Sequence, residues 1–407
     1  MHSLPHKKLK IIYLFFTFLF FTSCENKNYP EDIWDPNSES EPTPTISRVS
    51  PADSAYSGVG EITIYGTNFS ADSTKNHVFF NSSKADIISA SDTAITVNPP
   101  ALLADSIVIK VSVQGAYLFA EFTPYKLYSA IMNYGNYDPI DDKMWGITID
   151  SDENVYVGKE SFPEGKIDKL TPPNGDVTSN VLTLALSKPV SIRKGTDGYI
   201  YYLDGITPYI VRNNISSGGV SYASLPGAAI DLDFDENGNL YCGGNGKEIY
   251  RVSSSFAVST VAAYDDINIK ALRVYNGFLY VAGTYTGQDT TIASVGVWKN
   301  EILSSSGTLG EKELVLDWAS TVGSSTNILA ITFDEDGIMY IAPDFGDAVT
   351  MIKTDGSIEA LYPKILSSPI HKLCWGTGEY LYFNYQGDDK GIYRLSMGKN
   401  GAPRYGR

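Results

Sequence analysis

The sequence predicts an all-β protein, with a small β-sandwich followed by a six-bladed β-propeller. Three observations support this prediction. A strand–turn–strand unit ending in tyrosine recurs six times after residue 126, and short alternating apolar runs separated by turn residues fill residues 46–125. The composition agrees, since 28 tyrosines and 36 glycines stand among 407 residues of which 19% are charged.

The six copies share an apolar strand, a turn rich in Asp, Asn and Gly, and a second strand centred on tyrosine. Their tyrosines are Tyr156, Tyr201, Tyr241, Tyr280, Tyr340 and Tyr382. The successive spacings are 45, 40, 39, 60 and 42 residues, the span that four short strands and their turns need. Residues 126–407 are therefore predicted to form one propeller blade per copy. Turn type and tyrosine position resemble those of NHL-type propellers.

The ring is predicted to close through a strand from its N-terminal side. A third strand follows each tyrosine strand, and a fourth follows in five copies, whereas the sixth copy runs out after Met397. Residues 126–132 form an unpaired apolar strand upstream of the first copy. We expect this strand to complete the last blade, because it would cover two edges that are otherwise exposed.

Strands are predicted at residues 62–65, 78–80, 95–97 and 107–113, at the spacing of a β-sandwich. The stretch Ile46-Ser-Arg-Val-Ser-Pro51, followed by Ile64-Tyr-Gly-Thr-Asn-Phe69, resembles the IPT/TIG family of immunoglobulin-like domains. The resemblance implies a spacer or interaction domain over residues 46–125. Gly66 and Asn68 are predicted to form a turn that needs positive φ, and Phe69 to fill the end of the sandwich.

The N-terminus is predicted to be an export signal. Three lysines precede the apolar residues 11–21, a run too short to span a bilayer but suited to a signal peptide. Phe21-Thr-Ser-Cys24 then resembles a bacterial lipobox, which implies cleavage after residues 1–23 and acylation of Cys24, anchoring the chain in a lipid bilayer. An ordinary secretory signal with an incidental cysteine is the alternative. Residues 24–45, rich in Asn, Pro, Ser and acids, are predicted to be a tether.

Charge argues against nucleic acid as a partner. The formal net charge is −16, and loss of the three signal-peptide lysines would leave 28 basic against 47 acidic residues, or −19. Such a chain repels phosphates.

Cysteine and histidine are too scarce for several kinds of site. Cys242 and Cys374 fall in the third and sixth blades, opposite each other, so we predict two buried free thiols rather than a disulfide. The propeller segment contains a single histidine, His371, which excludes lyases whose metal is held by several histidines. His371 precedes an inner strand and could face a ligand, although a structural role is the favoured interpretation.

One acidic turn partly matches a calcium-binding loop. Asp233-x-Asp235-x-Asn237-Gly238 matches half of an EF-hand loop, but Gly244 stands where the loop needs glutamate. A tight hairpin demands the same residues, so we predict a structural turn and no metal ligands. Calcium remains open only for an enzyme built on Asp344, Asp347, Asp388 and Asp389.

The ligand is expected on the face that carries the links between blades and the loops between second and third strands. These segments are long and varied, and they combine aromatic rings with short polar groups, as carbohydrate binding requires. The candidate ligand-binding residues are Tyr137, Trp145, Tyr209, Tyr285, Trp318, Phe345, Tyr385 and Asp388. The alternative is that individual rings pack between blades.

The leading hypothesis is a non-catalytic, lipid-anchored glycan-binding protein of the outer-membrane surface. The order of IPT/TIG domain and NHL-like propeller resembles lipoproteins of the Bacteroidetes, which implies a role beside an outer-membrane polysaccharide uptake system. No nucleophile elbow or P-loop occurs in the sequence. Two alternatives stay open: a calcium-dependent propeller lyase or hydrolase acting on carbohydrate, and a protein-interaction scaffold.

Overall fold

A computed structural model describes residues 39–244, 247–323 and 326–406. The predicted signal peptide, Cys24 and residues 25–38 of the predicted tether lie outside the described residues. Nowhere in the described ranges does a helix have the length and apolar character needed to cross a membrane.

The N-terminal domain is a sandwich of two β-sheets. One sheet contains, in spatial order, Thr45–Ser50, Ile62–Thr67, Ala94–Asn98 and Asp86–Ala90. The other contains Ser54–Tyr56, Ala120–Tyr128, Ala104–Val113, Asn76–Phe80 and Ser83–Lys84. A 3-10 turn, Ser73–Lys75, precedes one strand. The four predicted strands are confirmed, and their inward residues form a core that includes Ile64, Phe80 and Ile109.

The turn at the end of the strand Ile62–Thr67 confirms two of the three predictions made for it. Phe69 is buried in the sandwich core, and Asn68 has a φ of 61°. Gly66 does not have positive φ. It is needed instead because the chain approaches closely there, and a Cβ would collide with the carbonyl oxygen of Thr45.

The C-terminal domain is a propeller of six four-stranded antiparallel sheets. Blade 1 contains Met144–Ile149, Val155–Lys159, Lys166–Thr171 and Asp176–Thr183; blade 2 contains Ser191–Lys194, Tyr199–Leu203, Tyr209–Asn214 and Val220–Ser224. Blade 3 contains Asp231–Phe234, Leu240–Gly243, Glu248–Val252 and Val258–Ala263; blade 4 contains Ile267–Tyr275, Phe278–Tyr285, Val295–Ile302 and Leu309–Asp317. Blade 5 contains Ile328–Phe333, Met339–Pro343, Thr350–Ile352 and Ile358–Ala360; blade 6 contains Ile370–Trp375, Tyr380–Tyr385, Gly391–Ser396 and Ile131–Asn133. A short helix, Trp318–Val322, follows blade 4. The first strands of neighbouring blades contact one another around the whole ring.

The closing strand is shorter than predicted. Ile131–Asn133 pairs with Gly391–Ser396 and completes blade 6. The first half of the predicted strand belongs to the sandwich, where Lys126 to Tyr128 end the strand Ala120–Tyr128 and pair with Ser54–Tyr56. The apolar run of residues 126–132 thus serves two domains, because Leu127 is buried in the sandwich core while Ile131 packs against the propeller.

Three of the repeat tyrosines donate hydrogen bonds to the acidic turns that precede them. In three blades the tyrosine hydroxyl donates to the carboxylate of the aspartate six residues earlier. The pairs are Tyr156–Asp150, Tyr241–Asp235 and Tyr340–Asp334, with O···O distances of 3.2, 3.3 and 2.8 Å. Each of these carboxylates also accepts backbone N–H groups of its own turn. The hydrogen bonds at Asp235 are those of a tight hairpin turn, in agreement with the structural role expected for it.

Residues 399–406, the C-terminal tail, cross the ends of the inner strands. Ala402 donates its N–H to the carbonyl of Phe333 and is buried among apolar residues of blades 4 and 5. Gly401 lies against the ring of Trp375 in blade 6, and Tyr405 packs on apolar residues of blades 3 and 4. The tail therefore covers this end of the central channel.

Candidate functional site at the channel mouth

The opposite end of the channel, where the inner strands begin, is surrounded by one residue from each blade. In sequence order these are Trp145, Val190, Ile230, Lys270, Leu329 and His371. They stand eleven residues before the repeat tyrosine, or ten in the fourth copy. In blades 1, 4, 5 and 6 the residue sits in a β-bulge of the inner strand. A bulge adds an unpaired residue to one strand and turns its side chain, which suits these positions to contact with a ligand.

An ion-pair network bridges the channel below this ring. Lys372 of blade 6 reaches Asp231 of blade 3 with an N···O distance of 2.9 Å. Two residues further along the same strand, the Asp233 carboxylate accepts hydrogen bonds from the guanidinium groups of Arg193 and Arg273, with N···O distances of 3.0 and 2.9 Å. Arg404 of the C-terminal tail lies 3.8 Å from the same carboxylate. The channel is therefore filled by charged side chains and closed by the tail, which leaves a cavity open on one side.

These charges keep both buried aspartates ionised. Burial acts to raise the pKa of each carboxyl, but neighbouring cations outweigh it. Lys372 and Arg193 lower the pKa of Asp231, and the guanidinium groups of Arg273 and Arg193 hold that of Asp233 far below its usual range. Burial lowers the pKa of Arg273 to about 10, which still leaves it charged at neutral pH.

We use the name channel mouth for the cavity of about 280 Å³ that the ring surrounds. Its lining is completed by Lys188, Asp204, Gly205, Ile206 and Lys372. The Lys188 ammonium lies 3.8 Å from the centre of the Trp145 ring. The indole N–H of Trp145 donates to Glu160 at 2.9 Å, which fixes the ring. The imidazole of His371 lies 6.2 Å from Trp145, centre to centre.

The channel mouth is electropositive. Lys188, Lys270 and Lys372 line it, against the single lining carboxylate of Asp204 within the described residues. Burial, with the charges of Lys372 and Lys188, lowers the pKa of His371 to about 4. His371 is therefore a neutral imidazole at pH 7, able to donate one hydrogen bond and accept another.

The structure brings one of the eight predicted ligand-binding residues, Trp145, into the channel mouth. Two others are inside the fold. Tyr137 is 7% exposed and its hydroxyl donates to Asp168, whereas Trp318 is 1% exposed and its indole N–H donates to Thr326. Both rings pack between blades, the alternative that the sequence left open.

The remaining five do not line the cavity; Tyr209, Tyr285 and Tyr385 lie at strand ends, and Phe345 and Asp388 lie in loops. Tyr209 and Phe345 are 41% and 76% exposed, and Asp388 is also exposed. The hydroxyl of the half-buried Tyr285 accepts the N–H of Asp289, four residues further along the chain. Tyr385 lines a separate groove of about 170 Å³ with Phe383 and Tyr393 of blade 6 and Ile365 of the link that precedes it.

Sequence reasoning missed the lysines of the channel mouth. Aligning the six copies on their tyrosines would have placed Lys270 within one position of Trp145 and His371. Lys188 precedes an inner strand and carries no such signal. The expectation that His371 could face a ligand agrees with its place in the lining.

The two thiols are buried, and Asp344 supports a neighbouring segment of the chain. Cys242 and Cys374 are both free and buried, as predicted. Within the described ranges, no group of three or more His, Cys, Asp or Glu side chains has the geometry to hold a metal ion. Asp344, one of the carboxylates considered for calcium, accepts hydrogen bonds from the backbone and side chain of Asn327.

Comparison with known proteins supports the architecture. The model of the IPT/TIG domain matches residues 44–127. No curated protein matches the sequence significantly.

Solved structures with a similar fold include three bacterial proteins. An auxiliary nutrient binding protein from Bacteroides ovatus is 13% identical with a TM-score of 0.51, covering 88% of this chain and 98% of its own. An auxiliary nutrient binding protein from Bacteroides thetaiotaomicron is 12% identical with a TM-score of 0.48, and the match covers 89% of this chain and 99% of the relative's chain. A virginiamycin B lyase from Staphylococcus aureus is 16% identical with a TM-score of 0.47, and the match covers 65% of this chain and 98% of the lyase chain. The chain is thus an all-β protein in which an IPT/TIG domain precedes a six-bladed β-propeller.

Proposed function

We propose that this protein is a non-catalytic nutrient-binding protein that binds carbohydrate at the channel mouth. The observation that carries the proposal is the half-exposed indole of Trp145 at the opening of a blind cavity, with Lys188 over its face and His371 beside it. Sugar rings stack their apolar faces on such an indole, while neighbouring amine and imidazole groups hydrogen-bond to hydroxyls.

The size of the cavity favours a small ligand. Its 280 Å³ lies near the lower end of small-molecule sites, which span roughly 300–1000 Å³. The apolar side chains of Val190, Ile230 and Leu329 complete the ring and suit the carbon skeleton of a sugar. We therefore expect one terminal sugar unit to enter the cavity, with the rest of a glycan outside.

The proposal places the protein on the outer-membrane surface, anchored through acylated Cys24 and acting beside a polysaccharide uptake system. The lipobox-like sequence at residues 21–24 and the acidic tether support this location. The auxiliary nutrient binding protein from Bacteroides ovatus has a similar fold, and the proposal extends its described role to this chain. The IPT/TIG domain would serve as a spacer between tether and propeller.

Substitution of Trp145 tests the proposal. We expect Trp145→Ala to weaken binding of the glycan that a glycan array identifies by at least about tenfold, since aromatic stacking and its buried area are lost. Tyr209→Ala is the matched control, because this ring is exposed but outside the cavity. Titration calorimetry on the whole protein measures both. Equal affinities of the two variants would place the site elsewhere.

The same protein and glycan distinguish the binding hypothesis from the enzyme and scaffold hypotheses. Incubation of the bound glycan with the protein, with and without a calcium chelator, should yield no product under either condition. Chelator-sensitive turnover would establish the enzyme hypothesis instead. Absence of glycan binding together with recovery of a specific protein partner would favour the scaffold hypothesis.

A further inference from the structure

Resting on the proposed carbohydrate binding, we propose that the sugar bound at the channel mouth is anionic and that Lys188 and Lys270 bind its negative group. Lys188 precedes blade 2 and Lys270 belongs to blade 4, so the two side chains enter the same cavity from different sides. An acidic sugar has both features that this lining requires, an apolar ring face and a negative charge.

The local charge is opposite in sign to that of the whole chain. The protein carries −16, yet three lysines and one aspartate line this cavity. The ion-pair network below the cavity contains three further cations, Arg193, Arg273 and Arg404, and two carboxylates, Asp231 and Asp233. A concave site with an excess of one charge focuses the field and attracts ligands of the opposite sign.

Neighbouring carboxylates do not neutralise the two lysines. Within the described residues, no ion pair joins Lys188 or Lys270 to an acidic side chain. Lys372 differs, since Asp231 already holds it at 2.9 Å. Lys188 and Lys270 are therefore the cations left for a ligand.

The nearby acidic groups already have other partners. Asp204 accepts the N–H groups of Ile206 and Thr207 at 3.0 and 2.8 Å and so supports its own loop. Glu160 accepts from Trp145 and lies 4.0 Å from Lys143. Both carboxylates support the wall of the site, and a ligand anion would not displace them.

The negative group is a carboxylate, as in a uronic acid, or a sulfate ester, since both accept hydrogen bonds from ammonium groups.

The comparison that tests the inference uses the whole protein with galacturonic acid, galactose sulfate and galactose. We expect one or both anionic sugars to bind at least about tenfold more tightly than galactose. The preference should fall as salt is added, because salt screens half-exposed charges.

Lysine variants assign the preference to this site. Lys188→Gln and Lys270→Gln should each reduce the ratio of anionic to neutral affinity, and the double variant should abolish it. Lys390→Gln is the control, because Lys390 is exposed in the loop between the second and third strands of blade 6, outside the cavity. This control should leave the ratio unchanged.

The outcomes distinguish this inference from the proposed function. Equal binding of galactose and both anionic sugars, lost in Trp145→Ala, would overturn the inference and leave carbohydrate binding intact. A preference that Lys390→Gln removes as fully as Lys188→Gln would also overturn it. If neither these sugars nor any glycan on the array binds, the proposed function fails, and the inference with it.

Discussion

Asp233 shows how a single buried carboxylate organises the propeller axis. It is fully buried, and its two oxygens accept hydrogen bonds from Arg193, Arg273 and the backbone N–H of Val274. A buried charge without a partner is very unfavourable, so each of these groups depends on the others. The network joins blades 2, 3 and 4, and Arg404 adds the C-terminal tail.

Asp233→Asn should therefore be strongly destabilising. We expect the free energy of unfolding to fall by about 3–5 kcal/mol, because two buried guanidinium groups lose their counter-charge. Asp105→Asn is the control, since Asp105 forms an exposed pair with Lys126 and should cost at most about 1 kcal/mol. Urea denaturation measures both. A loss below that of the control would show that water or other groups compensate the guanidinium charges.

The same carboxylate makes stability depend on pH. Its pKa is lowered in the folded protein, so the folded state binds fewer protons than the unfolded state in acid. Its stabilising contribution is present at neutral pH and is lost as the pH falls below the usual range for aspartate.

At the scale of elements, the C-terminal tail packs over one end of the central channel. Ala402 is 1% exposed, and Arg273 donates to the carbonyl of Pro403 at 2.8 Å. Gly401 forms an antiparallel bridge with Asp334 of blade 5. The tail therefore links the last blade to blades on the other side of the ring.

Ala402→Asp should release this tail. The substitution buries a carboxylate among apolar residues, and we expect the tail to detach at a cost of roughly 2–3 kcal/mol in the free energy of unfolding. Hydrogen exchange should increase at Ala402, whose N–H loses its bond to Phe333. Pro403→Asp is the matched control, because this neighbouring side chain is exposed. Unchanged exchange in Ala402→Asp would refute the covering role.

At the scale of the whole molecule, the sandwich packs directly on the propeller. Val59 is 6% exposed in a cluster that contains propeller residues, and Tyr56 packs on the same cluster. Gly58 lies so close to Ile365 that a Cβ would contact its side chain at 2.8 Å. Because Ser129 and Ala130 alone separate the last sandwich strand from the closing strand, the two domains have little freedom to move apart.

Val59→Asp should uncouple the domains while each remains folded. We expect hydrogen exchange to increase at Ile365 and Leu366, and calorimetry to show the two domains unfolding more independently. Leu103→Asp is the control, because this apolar side chain of the sandwich is 63% exposed. If exchange at Ile365 rises equally in both variants, the contact does not hold the domains together.

The sequence by itself determined the architecture, because its signals are local. Alternating apolar residues and Asp/Asn/Gly turns specify hairpins within about ten residues, and the spacing of the tyrosines counts the blades. The structure adds a reason for three of the tyrosines, whose hydroxyls donate hydrogen bonds to the aspartates of their own turns.

Only the tertiary structure decided which residues meet at the channel mouth. Trp145 and His371 become neighbours because the ring closes, and Lys372 meets Asp231 from 141 positions away. Such contacts depend on strand register, on bulges and on the order of blades around an axis, none of which a local pattern encodes. For the same reason an exposed ring such as Tyr209 and a buried ring such as Trp318 look alike in the sequence, although only their packing decides whether either can touch a ligand.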